Sequence, residues 1–348
     1  MAVGPAIALI GCGGISAAQL EAYRAADLNL TLLCDRTLAK ARGRRDEYYP
    51  HAAITDSVGE VLGDPSIEIV DIATHVTGRT ALVERALSAG KHVLSQKPFV
   101  LDLEEGERLI ALADQEDRLL AVNHNGRWAP HFAIALDAVR GRQLGDVYSA
   151  DFAVYWPHDQ LFEHDPHFSR MTDLVLYDFG IHWFDLVAQL LEGSGSPLRV
   201  FAVASVRPDA RIPVPTNAIV VIEYERATAS IIFRASSPRA ESGRFRIEGS
   251  SGTLVHDGES LGGALVELHN EAGRTDIAVE GDWWSRGMIG TMQELIDAIG
   301  EGRQPSNRAS TALPGLSLCF AAIESVRTGL PVDPRSVRRY TQPGPSQG

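Results

Sequence analysis

The stretch that most constrains the fold is residues 6–16, A-I-A-L-I-G-C-G-G-I-S. Its first five residues are apolar and read as a buried parallel strand. Gly11 suits a tight turn, and Gly13 carries no side chain to keep a ligand from its amide. A helix from Ile15 to about Arg24 then points the positive end of its dipole at a phosphate held beside that amide. A glycine-rich turn alone is weak evidence, and the third glycine of the G-x-G-x-x-G pattern is Ser16 here. The continuation narrows the reading. A second hydrophobic strand, 30–34, ends in Asp35, at about the offset where an acid meets the adenosine ribose of a dinucleotide. Strand, loop, helix, strand and acid together predict a dinucleotide-binding unit. Its cofactor-binding candidates are Gly11, Gly13, Gly14, Ile15, Asp35 and Arg36.

The alternation continues. Residues 38–49 form a polar helix and 58–62 a short one, 67–74 a strand, 76–89 a helix stopped by Gly90, 91–96 a strand, 103–116 a helix and 119–123 a strand. Strands alternating with helices of this length predict a doubly wound parallel sheet, an α/β Rossmann arrangement, with ligand beyond the carboxyl ends of the strands. Those ends also hold Thr74, His75, Gln96, Lys97, Asn125 and Arg127. Lys97 precedes Pro98, which biases it toward extended backbone. An isolated Lys-Pro reads as a surface lysine at a turn; its place beside the cofactor makes it a catalytic candidate.

From Val147 the period changes. Residues 147–156, 198–206, 217–224, 228–235, 243–249, 252–256 and 264–270 are strand-like, separated by turns. They predict an α+β domain with a large, mostly antiparallel open sheet. A long helix, 174–191, interrupts them, with Asp173 as its N-cap and Gly193 as its stop, and helices at 288–301 and 313–328 follow. The domain boundary is expected near 123–130: a first domain over 1–125, a second over 126–340, and a Pro-, Gly- and Ser-rich tail, 341–348, expected to be disordered. The long helix carries D-F-G-I-H-W-F-D. Asp178, His182 and Asp185, spaced by four and three, share one face, and carboxylate with imidazole is general acid/base material. The same residues also fit a solvated face, a helix-stabilising pair or two metal ligands. The apolar neighbours Phe179, Ile181, Trp183 and Phe184 oppose full solvation. The metal reading lacks an obvious third ligand, although His158, His164 and His167 lie upstream, so no metal is expected.

Composition excludes some classes. A formal charge of −13 opposes a nucleic-acid surface. The three cysteines, Cys12, Cys34 and Cys319, form no C-x-x-C pair and read as reduced, buried thiols of a cytoplasmic protein. No apolar run approaches 18 residues, so no membrane span is expected, and the opening M-A-V-G-P reads as no signal peptide.

I-G-C-G-G-I-S, the L-L-C-D-R strand end, A-L-S-A-G-K-H-V-L-S-Q-K-P, D-F-G-I-H-W-F-D and the closing G-L-P-V-D together resemble the Gfo/Idh/MocA oxidoreductases, the glucose–fructose oxidoreductase and inositol dehydrogenase family, over nearly the whole chain. The resemblance implies a nicotinamide cofactor and a sugar or cyclitol substrate. By it, Lys97 is the lysine near cofactor and substrate, Asp178 the substrate-binding acid and His182 the catalytic histidine; from their place at a strand end, Asn125 and Arg127 are expected among the substrate contacts. Three departures stand out. Gln96 replaces the usual Glu before Lys-Pro. His75, Val76 and Arg79 replace Pro-Asn and a following His. The run 173–177 replaces a glycine-rich lead into the catalytic helix. Asp35 favours NAD, with Arg36 leaving NADP open. The family's open sheet implies a homo-dimer or homo-tetramer. The alternatives are a dinucleotide-binding sensor of the same fold, as in the yeast galactose-pathway repressor, and an NAD-dependent glycoside hydrolase.

Overall fold

Short hydrophobic strands separated by helices build a six-stranded parallel sheet in the computed structural model, which describes residues 4–163, 168–263 and 265–341. The elements run β1 (Ile7–Ile10), α1 (Gly14–Ala25), β2 (Leu30–Cys34), α2 (Leu38–Tyr48), β3 (Ala53–Thr55), α3 (Val58–Gly63), β4 (Ile69–Ile72), α4 (Arg79–Ser88), β5 (His92–Gln96), α5 (Leu103–Gln115) and β6 (Leu120–Asn123). The sheet order β3-β2-β1-β4-β5-β6 places the reversal of winding between β1 and β4, where open α/β sheets bind ligand. Every residue of β1, β4 and β6 is buried, as strands covered by helices on both faces require. The Ser57 and Asp102 side chains accept the amides of Glu60 and Glu104 and so start α3 and α5. The three-residue β3 was too short to show an apolar period.

This first unit is Met1–Trp128 with Trp284–Leu313, which differs from the expected unbroken boundary. The returning segment has a physical cause. Met292 and Leu295 join the core formed by Ile7, Leu9, Tyr23 and Ile69. The Thr291 hydroxyl donates to Asn123 Oδ1 at 3.2 Å, and Asn307 Nδ2 donates to the Val122 carbonyl at 3.3 Å, so the end of β6 holds it.

The second unit is Ala129–Trp283 with Pro314–Gly348. It contains α6 (Pro130–Arg140), β7 (Val147–Tyr155), α7 (Ile181–Leu190), β8 (Pro197–Ser205), β9 (Asn217–Tyr224), β10 (Thr228–Arg234), β11 (Ser242–Gly249), β12 (Gly252–Glu259), β13 (Leu265–Asn270) and β14 (Gly273–Ala278). The chain then forms α8 (Trp283–Glu301), most of which belongs to the first unit, and α9 (Leu313–Thr328). Its eight strands lie in the order β14-β13-β12-β11-β7-β10-β9-β8, antiparallel except where β7 pairs with β10. α6 and β14 escaped the sequence reading. Alternation leaves one face of β9 buried through Ala218, Val220 and Ile222, while Ile219 and Val221 stay exposed. All of α7 except Gln189 is buried. The stretch Ala309–Thr328 is long and apolar enough to cross a membrane, yet most of it is buried within the protein, as in a core helix. The tail, 342–348, lies outside the described residues.

Candidate active site

The glycine turn after β1 is shaped for close approach. Gly11 has φ +104°, and a Cβ there would meet the Ala73 backbone at 2.9 Å, so the turn admits only glycine. A Cβ at Gly13 or Gly14 would meet nothing within 4 Å: the cradle is open above them. No side chain caps α1, which leaves its first amides available to an anion beside Gly13, Gly14 and Ile15. Ser16 donates its hydroxyl to the Gly13 carbonyl at 2.6 Å and accepts Arg44 Nε at 3.2 Å. Arg44 Nη2 reaches the same carbonyl at 3.1 Å. The turn is thus braced by polar bonds where a third glycine would allow only closer packing. Asp35 accepts the Cys12 amide on Oδ2 and the Thr37 amide on Oδ1, each at 2.8 Å. Two of its roughly four acceptor positions are used, and two remain for ribose hydroxyls. Arg36 is exposed.

At and beyond the ends of β4 and β5 lie Thr74, His75, Gln96 and Lys97. Thr74 Cγ2 lies 3.0 Å from a Cβ placed on Gly11. The buried Thr74 Oγ1 and Gln96 Nε2 have no hydrogen-bond partner among the described residues. Gln96 is buried, and its Oε1 accepts the Lys97 amide at 2.9 Å. His75 is exposed and Lys97 half-buried. A dinucleotide fits this donor set: uncapped amides suit its pyrophosphate, the Asp35 carboxylate its ribose, and two buried orphan groups await a polar ligand. Asn125 and Arg127, expected among the substrate contacts, lie just after β6 and are buried. Asn125 Nδ2 meets Met288 Sδ at 3.3 Å. Arg127 Nη1 donates to the Ser306 carbonyl and the Thr311 hydroxyl, each at 2.9 Å. Both side chains hold the returning segment within the first unit.

In the second unit the helix that carries Asp178 and His182 is not uniform. A π-helical turn, Val175–Phe179, precedes α7, and the Gly180 amide donates to the Val175 carbonyl at 2.9 Å, five residues back. Such turns cluster at functional sites. A Cβ at Gly180 would meet the Leu176 and Val175 carbonyls at 2.7 and 2.8 Å, so only glycine allows this junction. Asp173 does not cap with its side chain. That carboxylate accepts the Tyr340 hydroxyl at 3.3 Å, and burial raises its pKa to about 6. Tyr340 also stacks on Tyr177, with centroids 4.4 Å apart, so the chain's last described turn braces the π-helical one.

Asp178, on that turn, is faced by a residue read from sequence only as a possible metal ligand: His158 Nε2 lies 4.0 Å from Asp178 Oδ2. His158 is buried, stacked on Phe179 at 4.1 Å. Its signal was positional, a histidine just past the end of β7. His182 is 9% exposed and stands edge-on to Trp283, with centroids 5.4 Å apart. Asp185 is almost fully buried, and a Cβ on Gly315 of α9 would meet its Cα at 2.8 Å, so α9 packs closely against its backbone. His164 and His167 lie outside the described residues. Among the described residues, no group of three or more His, Cys, Asp or Glu is placed to hold a metal.

Comparison with known proteins identifies the family. Residues 6–124 match the model of an oxidoreductase family with an NAD-binding Rossmann fold, Gfo/Idh/MocA, and residues 132–255 match that family's C-terminal domain. The chain is 26% identical to a D-apiose dehydrogenase of Paraburkholderia graminis, over 95% of this chain and 90% of that protein. It is 27% identical to the scyllo-inositol 2-dehydrogenase (NADP(+)) of Bacillus subtilis, over 82% and 76%. An oxidoreductase from Agrobacterium radiobacter, solved with NAD+, L-tartaric acid and magnesium, shares the fold with a TM-score of 0.83 and 22% identity, over 96% of this chain and 99% of that one. Matched in both domains, with the glycine cradle and the Asp178–His182 helix in place, the chain belongs to the Gfo/Idh/MocA oxidoreductases and carries their NAD-binding Rossmann domain.

Proposed function

We propose that the protein is a dehydrogenase that moves hydride between a nicotinamide cofactor, NAD first and NADP second, and a secondary alcohol or ketone of a sugar, cyclitol or related polyol. The observation that carries the reading is Lys97 at the carboxyl end of β5, its amide held by Gln96, in the same unit as an open glycine cradle. The names of the relatives, an apiose and an inositol dehydrogenase, support the substrate class. The bound cofactor supplies a hydride acceptor or donor at its nicotinamide ring. The residues supply the rest. His182 takes the hydroxyl proton during oxidation and returns it during reduction, a task suited to an imidazole. Lys97 stabilises the developing alkoxide by charge and hydrogen bonding. Asp178 binds a neighbouring hydroxyl, and His158 orients its carboxylate. Gly11, Gly13, Gly14 and Ile15 receive the pyrophosphate, and Asp35 receives the ribose.

The exposed face of the large sheet supports a homo-oligomer, a dimer or a tetramer. Phe201 pairs with Val221 and Val203 with Ile219 across β8 and β9, and all four are at least 38% exposed, a contiguous apolar patch of the kind that marks protein contact. Three free, buried cysteines fit a reducing, cytoplasmic setting.

The test is cofactor absorbance over a panel of sugars and polyols, with product analysis. His182→Ala should lower turnover by roughly a hundredfold or more while sparing cofactor affinity, and Lys97→Ala should also lower turnover. Near-normal turnover in both variants would sink the assignment. Net-neutral cofactor with glycoside cleavage would favour the hydrolase, and cofactor binding without turnover the sensor.

A further inference from the structure

Arg79 was read from sequence only as a departure from the family pattern. In the structure it is the first residue of α4 and 2% exposed. Its guanidinium is bonded to backbone carbonyls. Nη1 donates to the carbonyls of Gln96 and Pro98, and Nη2 and Nε donate to that of Thr74, Nε at 3.0 Å. Those acceptors lie at and just beyond the carboxyl ends of two neighbouring strands, β4 and β5. Gln96 and Pro98 are the residues on either side of Lys97. The carbonyl before Lys97 and the carbonyl after its neighbouring residue are thus gathered onto one nitrogen, while the Lys97 amide is taken by the Gln96 side chain at 2.9 Å. A buried guanidinium must fill its donors, and only its planar fork can span acceptors from two loops at once. Gly78, with φ +83°, makes the turn that brings Arg79 inward.

We infer that Arg79 is a positioning residue for the reaction: it fixes the backbone on both sides of Lys97 and ties it to the Thr74 loop, so that the lysine amine meets its substrate in one orientation. The inference rests on the reading of Lys97 as the group that stabilises the alkoxide.

Full-length Arg79→Lys and Arg79→Gln, each alone and combined with Lys97→Ala, test it. Lys keeps the charge and loses the fork; Gln loses both. Both single variants should melt cooperatively above assay temperature and bind NADH, followed by its fluorescence, with near wild-type affinity. Each should lose about tenfold to a hundredfold in kcat, the scale of a misplaced reacting group. Neither should cost anything further once Lys97 is already Ala, because interacting residues are non-additive. The chain has three lysines, Lys40, Lys91 and Lys97, so amine labelling of the cofactor-free protein read by mass spectrometry gives a second readout. In Arg79→Gln the Lys97 labelling rate should change relative to that of Lys40. Wild-type kcat in Arg79→Lys, additive losses with Lys97→Ala, or unchanged Lys97 labelling would each overturn the inference. So would loss of folding in both variants, which would assign Arg79 to the fold alone. If the wild type turns over no polyol, the functional reading fails, and the labelling still decides whether Arg79 positions Lys97.

Discussion

Asp71 sits fully buried on β4, and its Oδ2 accepts Gln19 Nε2 and the Tyr23 hydroxyl of α1, each at 2.8 Å. Those bonds tie down the helix whose first amides face the cofactor cradle. They do not offset burial, which raises the Asp71 pKa from 3.8 to about 7. The fold therefore favours the protonated carboxyl. Its stabilising contribution is fully present below pH 3.8, falls as pH rises, and is lost above about 7. At about 1.36 kcal/mol for each tenfold change in proton affinity, the ionised carboxylate costs the native state about 4 kcal/mol. About 2.5 kcal/mol of that loss falls between pH 5 and pH 8. Asp71→Asn keeps an acceptor for Gln19 and Tyr23 and carries no charge. The stability of Asp71→Asn minus that of wild type should therefore rise by about 2.5 kcal/mol from pH 5 to pH 8, roughly 5–10 °C in melting temperature for a unit of this size. Thermal unfolding of both proteins across that range checks it, and taking the difference cancels the other titrating groups. A difference that stays flat with pH, or falls toward pH 8, would refute the argument.

Two further outcomes are expected. Asp35→Ser replaces the charged carboxylate acceptors for the 2′-hydroxyl with one neutral hydroxyl and removes the charge that repels a 2′-phosphate, so the ratio of kcat/KM for NAD to that for NADP should fall about tenfold or more; a wild type that already prefers NADP would show that Arg36 outweighs Asp35. Val203→Glu with Val221→Glu should shift the protein to monomer by light scattering, with the far-ultraviolet circular dichroism preserved; an unchanged oligomer would place the interface elsewhere.

What the chain discloses by itself is what neighbours in sequence decide. The β1 turn was legible because apolar run, glycines and helix start are contiguous. The Lys97 strand end was legible because β5 is short, apolar and closed by Pro98. Whatever depends on a distant partner was not. Ser16 reads as a missing glycine until Arg44, 28 residues on, is seen bonded to it. Asp178, His182 and Asp185 share a face by ideal periodicity, yet Asp178 lies on the π-helical turn at Val175–Phe179 and the other two on the α-helix that follows, a break the spacing does not disclose. The first unit ends after Trp128, within the expected 123–130, but the return of Trp284–Leu313 to it was hidden for the same reason. α8 looks like any amphipathic helix of the second domain; only the packing of Met292 and Leu295 against Leu9 and Ile69 assigns it to the first. Arg127 reads as a cation at a ligand-binding strand end, and it is the residue that anchors this return, through Ser306 and Thr311. A buried arginine bonded to carbonyls and one that meets substrate have the same local sequence. What each guanidinium touches is therefore read only from the fold: the carbonyls of Gln96 and Pro98 for Arg79, and those of Ser306 and Thr311 for Arg127.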